Sequence, residues 1–266
     1  MLDLTPPAPP GTPVVEMRDV VVTSLRHPDE VMLQNVNWTV AAGEFWTVAG
    51  LLRSGKSDLL ALAAGIMSPA SGSYHLFGNE LTAGFEHERM ALQLRLGLVF
   101  DGGQLLHHLT LEHNIALPLR YHLGDAKANV EPRVRELLEF TELSRWAHRL
   151  PNQVNRNWQQ RIGLARALAL KPELLLLDTP LTGLDPKDAA WWTDTVSALA
   201  AGHPVVDGHR LTLVVTADSL EPWRQRATHF AVVRERQFIA LGPPERWPAR
   251  NEPWLEELLP TSKRNH

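Results

Sequence analysis

The 266-residue chain has no cysteine, which excludes a disulfide frame and thiol chemistry and suits the cytosol. It has no apolar run approaching the roughly 18 residues a membrane-spanning helix needs, so any work at a membrane is expected from the side. Positive charge is not in excess: 26 Lys and Arg against 30 Asp and Glu give a net −4, and nucleic acid is not expected as a partner. The opening, MLDLTPPAPPGTP, lacks the basic and then apolar pattern of a signal peptide. It is acidic and holds five of the 20 prolines, and residues 1–13 are expected to form a disordered tail.

What is present is an ordinary globular balance, 44% hydrophobic and 21% charged, in a chain long enough for a substantial core. One stretch organises it. Glu44 to Ala49 reads as a buried strand that breaks at Gly50, and the residues that follow fit a phosphate loop: Gly50, Leu51, Leu52, Arg53, Ser54, Gly55, Lys56 and Ser57, with Asp58 next. A helix is expected to follow, with Leu59, Leu60, Leu62 and Ala63 on one side and its end at Gly65. Strand, loop and helix in this order aim backbone N–H groups and a helix N-terminus at one point, where a phosphate would sit. Residues 50–58 are thus the candidate nucleotide site, with Lys56 supplying charge and Ser57 a ligand to Mg²⁺. The alternative is a loop kept only for its packing.

Elsewhere, Val14–Val22 and the alternating Val36, Trp38 and Val40 read as strands, joined through a polar loop over 24–30. Residues 68–73 read as a turn, 74–77 and 96–100 as strands, and 103–150 as a helix-rich insertion. A helix over 159–170 must end before Pro172. Leu174–Leu177 is a buried strand delivering Asp178, and 211–216 a strand ending at Ala217. Alternating strands and helices indicate a parallel sheet with functional loops at the strand carboxyl ends. Asp178 there either holds Mg²⁺ or caps a turn. Asp101 is either a metal ligand or base, or a turn residue before Gly102. Asp185 and Pro186 suit a helix start. His107 and His108 lack companions at ligand spacing and read as a solvated helix start. Trp191 and Trp192 read as packing against the sheet.

The run from Gln159 to Asp178, followed by Thr179-Pro-Leu-Thr-Gly-Leu-Asp185-Pro186, resembles the ATP-binding cassette (ABC) ATPases, the motor subunits of ABC transporters. The likeness covers nearly all of residues 14–258. Within it, 99–114, 116–119 and 251–258 look most like the ATPases of Mla/Mce-type phospholipid transporters. The resemblance implies an α/β fold of the P-loop NTPase type, with a core sheet and an inserted helical subdomain at about 103–160. It implies an ATP-binding domain over 14–248 and a C-terminal extension over 249–266. It also implies ATP and Mg²⁺ as cofactors, Ser57 and Asp178 as metal ligands, and pairing with a like or unlike cassette. Docking to membrane permease subunits at the cytosolic face is implied too, through a groove near Leu105, Leu106, Leu109, Ile115 and Leu117.

The departures from the family fall on its chemistry. The glutamate that polarises the attacking water is Thr179, the switch histidine is Ala217, and the glutamine touching metal and water is Asp101. The signature Ser-Gly-Gly is Asn155-Arg156-Asn157, followed by Trp158. Arg156 either clamps a partner's phosphate or obstructs that contact. A loop glycine is Arg53, the threonine after Lys-Ser is Asp58, and no stacking aromatic stands near Leu25. A carboxylate at Asp58 about 4 Å from a phosphate would cost roughly 4 kcal/mol at an effective dielectric of about 20. It would equally favour the helix dipole. The expectation is a nucleotide-binding subunit with impaired hydrolysis. The rivals are an active ATPase using Asp101 and a non-catalytic scaffold.

Overall fold

All four side chains of Leu174–Leu177 are buried, and successive ones enter opposite cores. Leu175 and Leu177 join one cluster, Leu174 and Leu176 the other, as the two-residue period of a strand requires. A strand covered on both faces reads as an unbroken apolar run, and this one was legible for that reason. The computed structural model describes residues 8–81, 86–123, 127–242, 244–247 and 253–259.

Among these residues the chain forms two sheets. The strands β1 (Pro13–Thr23), β2 (Val31–Ala41), β4 (Ser71–Leu76) and β5 (Asn79–Glu80) make an antiparallel sheet in the order β2-β1-β4-β5. The strands β3 (Phe45–Gly50), β6 (Leu96–Val99), β7 (Leu174–Leu177), β8 (Thr212–Ala217), β9 (His229–Arg234) and β10 (Gln237–Ala240) make the second, in the order β10-β9-β3-β8-β7-β6. It is parallel except for the β9–β10 hairpin. Phe45, Val215, Val232 and their like face a core built with helices α3 (Leu111–Leu123), α4 (Lys127–Phe140), α5 (Arg156–Leu168) and α6 (Pro186–Ala201). Trp46, Val48 and Val214 face the other core, shared with α1 (Lys56–Ala63) and the antiparallel sheet. Two further helices are α2 (Glu86–Gln93) and α7 (Pro253–Leu258).

Several expectations need correction. Helix α1 is not one-sided: Leu59 through Ala63 are all buried, because β1 and the main sheet enclose it. Residues 71–73 are strand rather than turn, since Val21 and Arg18 supply β-partners to Ser71 and Ser73. Helix α5 begins three residues before Gln159, because the Asn155 side chain accepts the Trp158 N–H at 2.8 Å and caps it. His107 and His108 lie in a turn, not at a helix start, and among the described residues no group of three His, Cys, Asp or Glu could hold a metal. Of the expected tail, residues 1–7 lie outside the described part. The rest is fastened: Ala8 N–H donates to Glu173 Oε2 at 2.8 Å, and Gly11 and Thr12 bond to Ala42.

Two close contacts tie α4 to α5 and α5 to the loop after β6. The Arg133 guanidinium of α4 donates to the carbonyls of Leu168 (2.6 Å) and Ala169 (3.3 Å) at the end of α5. Helix α5 in turn passes so close to the loop after β6 that a Cβ on Gly163 would lie 2.8 Å from the Gly103 Cα. A glycine inside a helix weakens it by about 1 kcal/mol relative to alanine, so this one marks a close approach. Among the described residues, no helix is long and apolar enough to cross a membrane.

Candidate functional site

The carboxyl ends of β3, β7 and β8 open onto one edge of the sheet, because the three strands are parallel and β8 lies between the other two. Loops leaving such an edge converge, and this is where open α/β sheets bind ligands. The loop after β3 turns through Arg53 and Gly55, both at positive φ (61° and 96°), and delivers Lys56 as the first residue of α1. Gly50 has no room for a side chain, since a Cβ would lie 2.6 Å from both Ser54 Oγ and the Val233 carbonyl. The expected strand, loop and helix are therefore present in the expected order.

Lys56 is buried, with 6% of its side chain exposed. Its ammonium donates to the carbonyls of Gly50 and Leu51 and, at 3.3 Å, to Asp218 Oδ1. Burial pushes its pKa down, against the opposing pull of Asp218 and Asp178. Asp178, at the end of β7, accepts the Thr216 hydroxyl at 2.7 Å, and Thr216 in turn accepts the Thr179 N–H at 2.9 Å. Burial pushes the Asp178 carboxyl up; hydrogen bonds from Thr216 and Ser57 oppose this, Asp101 adds to it, and Lys56 opposes it.

Ser57 follows Lys56 at the start of α1 and Asp178 follows β7, so two hard oxygen donors and an ammonium group stand at the same edge of the sheet. That donor set fits Mg²⁺, which takes one or two protein oxygens and fills its other positions with water and phosphate oxygens.

The other candidates are placed less as expected. Asp58 turns away from the loop: its Oδ1 accepts the Leu25 N–H at 2.8 Å and fastens the 24–30 segment to the start of α1. Asp101 sits in a turn closed by the Gly103 N–H to the Phe100 carbonyl, and it is ion-paired with Arg156. The turn reading of Asp101 is the one the geometry meets, and Arg156 spends its charge within its own chain. Asn157 points inward and accepts the Trp192 indole N–H at 2.9 Å, so Trp192 is buried beneath α5. Trp191 lies under the Arg161 guanidinium at 3.7 Å. Asp185 caps α6 by accepting the N–H groups of Lys187 and Asp188. Leu105 and Ile115 belong to the closed core, Leu109 is half-buried, and Leu106 and Leu117 are 40% exposed.

One residue escaped sequence reasoning. Asp218 follows Ala217 directly, contacts Lys56, and accepts the Thr182 hydroxyl at 3.0 Å. The available signal was an acid one step beyond the last residue of an apolar strand, the same arrangement that marked Asp178.

Comparison with known proteins converges on one group. The family model described as ABC transporter matches residues 33–182, over half of the chain. The chain is 34% identical over 237 residues to the methionine import ATP-binding protein MetN of Brucella abortus, covering 88% of this chain and 62% of that protein. It is 38% identical over 175 residues to the spermidine/putrescine import ATP-binding protein PotA of Pseudomonas aeruginosa, covering 66% and 46% respectively. The chain thus spans about three fifths of the length of the first curated relatives it matches. Among solved structures, the ATP-binding cassette MJ0796, a dimer bound to ADP and Pi, superposes with a TM-score of 0.74 at 27% identity, over 84% of this chain and 95% of that one. The cbiO1 protein of Clostridium perfringens, at 18% identity and a TM-score of 0.74 over 91% and 92%, shares the fold.

Proposed function

The chain belongs to the ABC transporter family, and on that premise we propose that it is a nucleotide-binding subunit of a transporter, with impaired hydrolysis. In this reading residues 50–58 hold ATP. The backbone N–H groups of the loop and the Lys56 ammonium take the phosphates, and Ser57 and Asp178 hold Mg²⁺. When bound, Mg²⁺ neutralises charge on the outer phosphates. Thr216 fixes one oxygen of the Asp178 carboxylate, while its own oxygen is fixed by the Thr179 N–H. The observation that carries the nucleotide reading is the convergence of Lys56, Ser57 and Asp178 at one strand-end edge.

The impairment rests on what stands at the neighbouring positions. Thr179 carries no carboxylate, sits at positive φ (42°), and gives its N–H to Thr216. Ala217 offers no donor, and Asp101 is engaged by Arg156. Loss of general-base assistance typically lowers a rate by roughly 10²–10⁴-fold. The structural support for a second cassette as partner is the likeness to a dimeric one. Exposed Leu106, Leu117 and Tyr121 support docking of a permease subunit at the cytosolic face of a membrane. As domain organisation we propose the cassette over 14–248 with a helical part at about 103–160, and an extension over 249–266. The stretches at 99–114, 116–119 and 251–258 support phospholipid transport as the finer reading. The relatives named above instead bear the names of methionine and spermidine/putrescine importers.

The test is ATP binding with and without Mg²⁺, followed by steady-state phosphate release, with Lys56→Ala as the control. Magnesium-dependent binding and background release are expected. Robust release abolished by Lys56→Ala would overturn the impairment, and absence of binding would favour the scaffold reading.

A further inference from the structure

An ammonium group has three N–H donors and no acceptor. On Lys56 all three are engaged: one by the Gly50 carbonyl, one by the Leu51 carbonyl at 2.9 Å, and one by Asp218 Oδ1 at 3.3 Å. Any phosphate that reaches this lysine must therefore take the place of one acceptor. The three are not equally able to leave. Gly50 is the last residue of β3, hydrogen-bonded into the sheet beside β9, and Leu51 follows it directly. Both carbonyls are fixed by the backbone that shapes the loop. Asp218 is a side chain, 51% exposed, held on its far oxygen by Thr182. Rotation about its χ angles frees the lysine without disturbing a strand.

We propose that Asp218 is a built-in counter-ion for Lys56, with which the phosphate of a nucleotide competes, and that Thr182 positions it for this. The inference rests on the nucleotide-binding reading of residues 50–58. It assigns Asp218 a part that the family comparisons do not address, namely setting how tightly the site takes an anion. The carboxylate lowers affinity because the charge-assisted bond must be given up before the phosphate bond forms. The exchange is of like for like, anion for anion, so the affinity that survives is the difference between the two bonds. A half-exposed carboxylate leaves water-screened charge behind, which keeps the effect moderate.

The experiment is equilibrium binding of a fluorescent ATP analogue to the full chain and to Asp218→Asn, Lys56→Ala and the double variant. Asp218→Asn is expected to bind about 1.5- to fivefold tighter than wild type, the range of a half-exposed ion pair. In the Lys56→Ala background the same change is expected to do nothing measurable, because the competition acts through the lysine. Thr182→Val keeps every charge and loosens one anchor of Asp218. It is expected to tighten binding by a smaller factor, and it serves if Asp218→Asn fails to fold. Equal or weaker binding by Asp218→Asn overturns the proposal. So does equal tightening with and without Lys56, which would mean simple repulsion of the ligand by Asp218. If no protein in the set binds the analogue at millimolar concentration, the nucleotide reading itself fails, a result distinct from all the others.

Discussion

Asn157 accepts the indole N–H of Trp192 at 2.9 Å, and both residues are buried, at 6% and 0% exposure. The position that the family fills with a small signature residue is here part of the interior between α5 and α6. Replacing Asn157 by glycine should leave a buried indole donor unpaired, at about 1–3 kcal/mol, and add only about 0.3 kcal/mol for exchanging one poor helix former for another. A drop of roughly 1–3 kcal/mol in unfolding free energy is expected from urea titration. Trp192→Phe combined with Asn157→Gly should recover part of it, with a coupling above about 0.5 kcal/mol.

The Asp101–Arg156 pair is exposed at 41% and 63% of its side chains, so its contribution should be small. A double-mutant cycle with Asp101→Asn and Arg156→Gln is expected to give about 0.2–1 kcal/mol, shrinking in high salt. Asp101→Asn should leave phosphate release at its background value. A release rate that depends on both Asp101 and Lys56 would instead make Asp101 a catalytic group.

Asp58 holds the 24–30 segment through the Leu25 N–H and also sits in the first turn of α1. Asp58→Ala should lower stability by about 1 kcal/mol, combining a lost hydrogen bond with a lost helix-dipole contact. Limited trypsin digestion offers a sharper readout. Cleavage after Arg26, in the freed segment, should become several-fold faster than in wild type.

Burial holds the Asp178 carboxyl above its ordinary value of 3.8, even with Thr216 and Ser57 donating to it and Lys56 nearby. A carboxyl whose folded pKa is raised binds its proton more tightly in the folded state. Its contribution to stability is therefore intact below pH 3.8 and diminishes as pH rises through the folded value. The difference in unfolding free energy between wild type and Asp178→Asn should accordingly shrink, or reverse, as pH rises from about 3.5 toward neutrality. A difference that grows over that range would contradict the shift.

The strands most visible in the sequence were those whose side chains carry their burial locally. Leu174–Leu177 and the segment ending at Gly50 are apolar throughout, and the loop between Gly50 and Ser57 has a spacing that few other structures need. Strand β4 begins at Ser71 because a partner strand supplies hydrogen bonds to residues that alone suit a turn. Strands β9 and β10 went unread: a run of Phe230 to Val233 between charged neighbours has no helix beside it to announce a crossover. The site was legible where one segment carried it, at Lys56 and Ser57, and at the end of a single strand, at Asp178. Contacts that join distant segments were not. Lys56 and Asp218 lie 162 positions apart, and neither the inward turn of Asn157 nor the pairing of Asp101 with Arg156 leaves a mark in residue spacing.

The Arg133 guanidinium has a mechanical meaning. By gripping the last carbonyls of α5, it joins α4 to a rod 13 residues long, which at 1.5 Å per residue extends about 20 Å. At the other end of that rod stands Arg156, paired with the loop that leaves β6. Helix α5 thus carries a buried grip on α4 at its C-terminal end and an exposed ion pair with the loop after β6 at its N-terminal end, so loosening the first should cost the fold more than breaking the second.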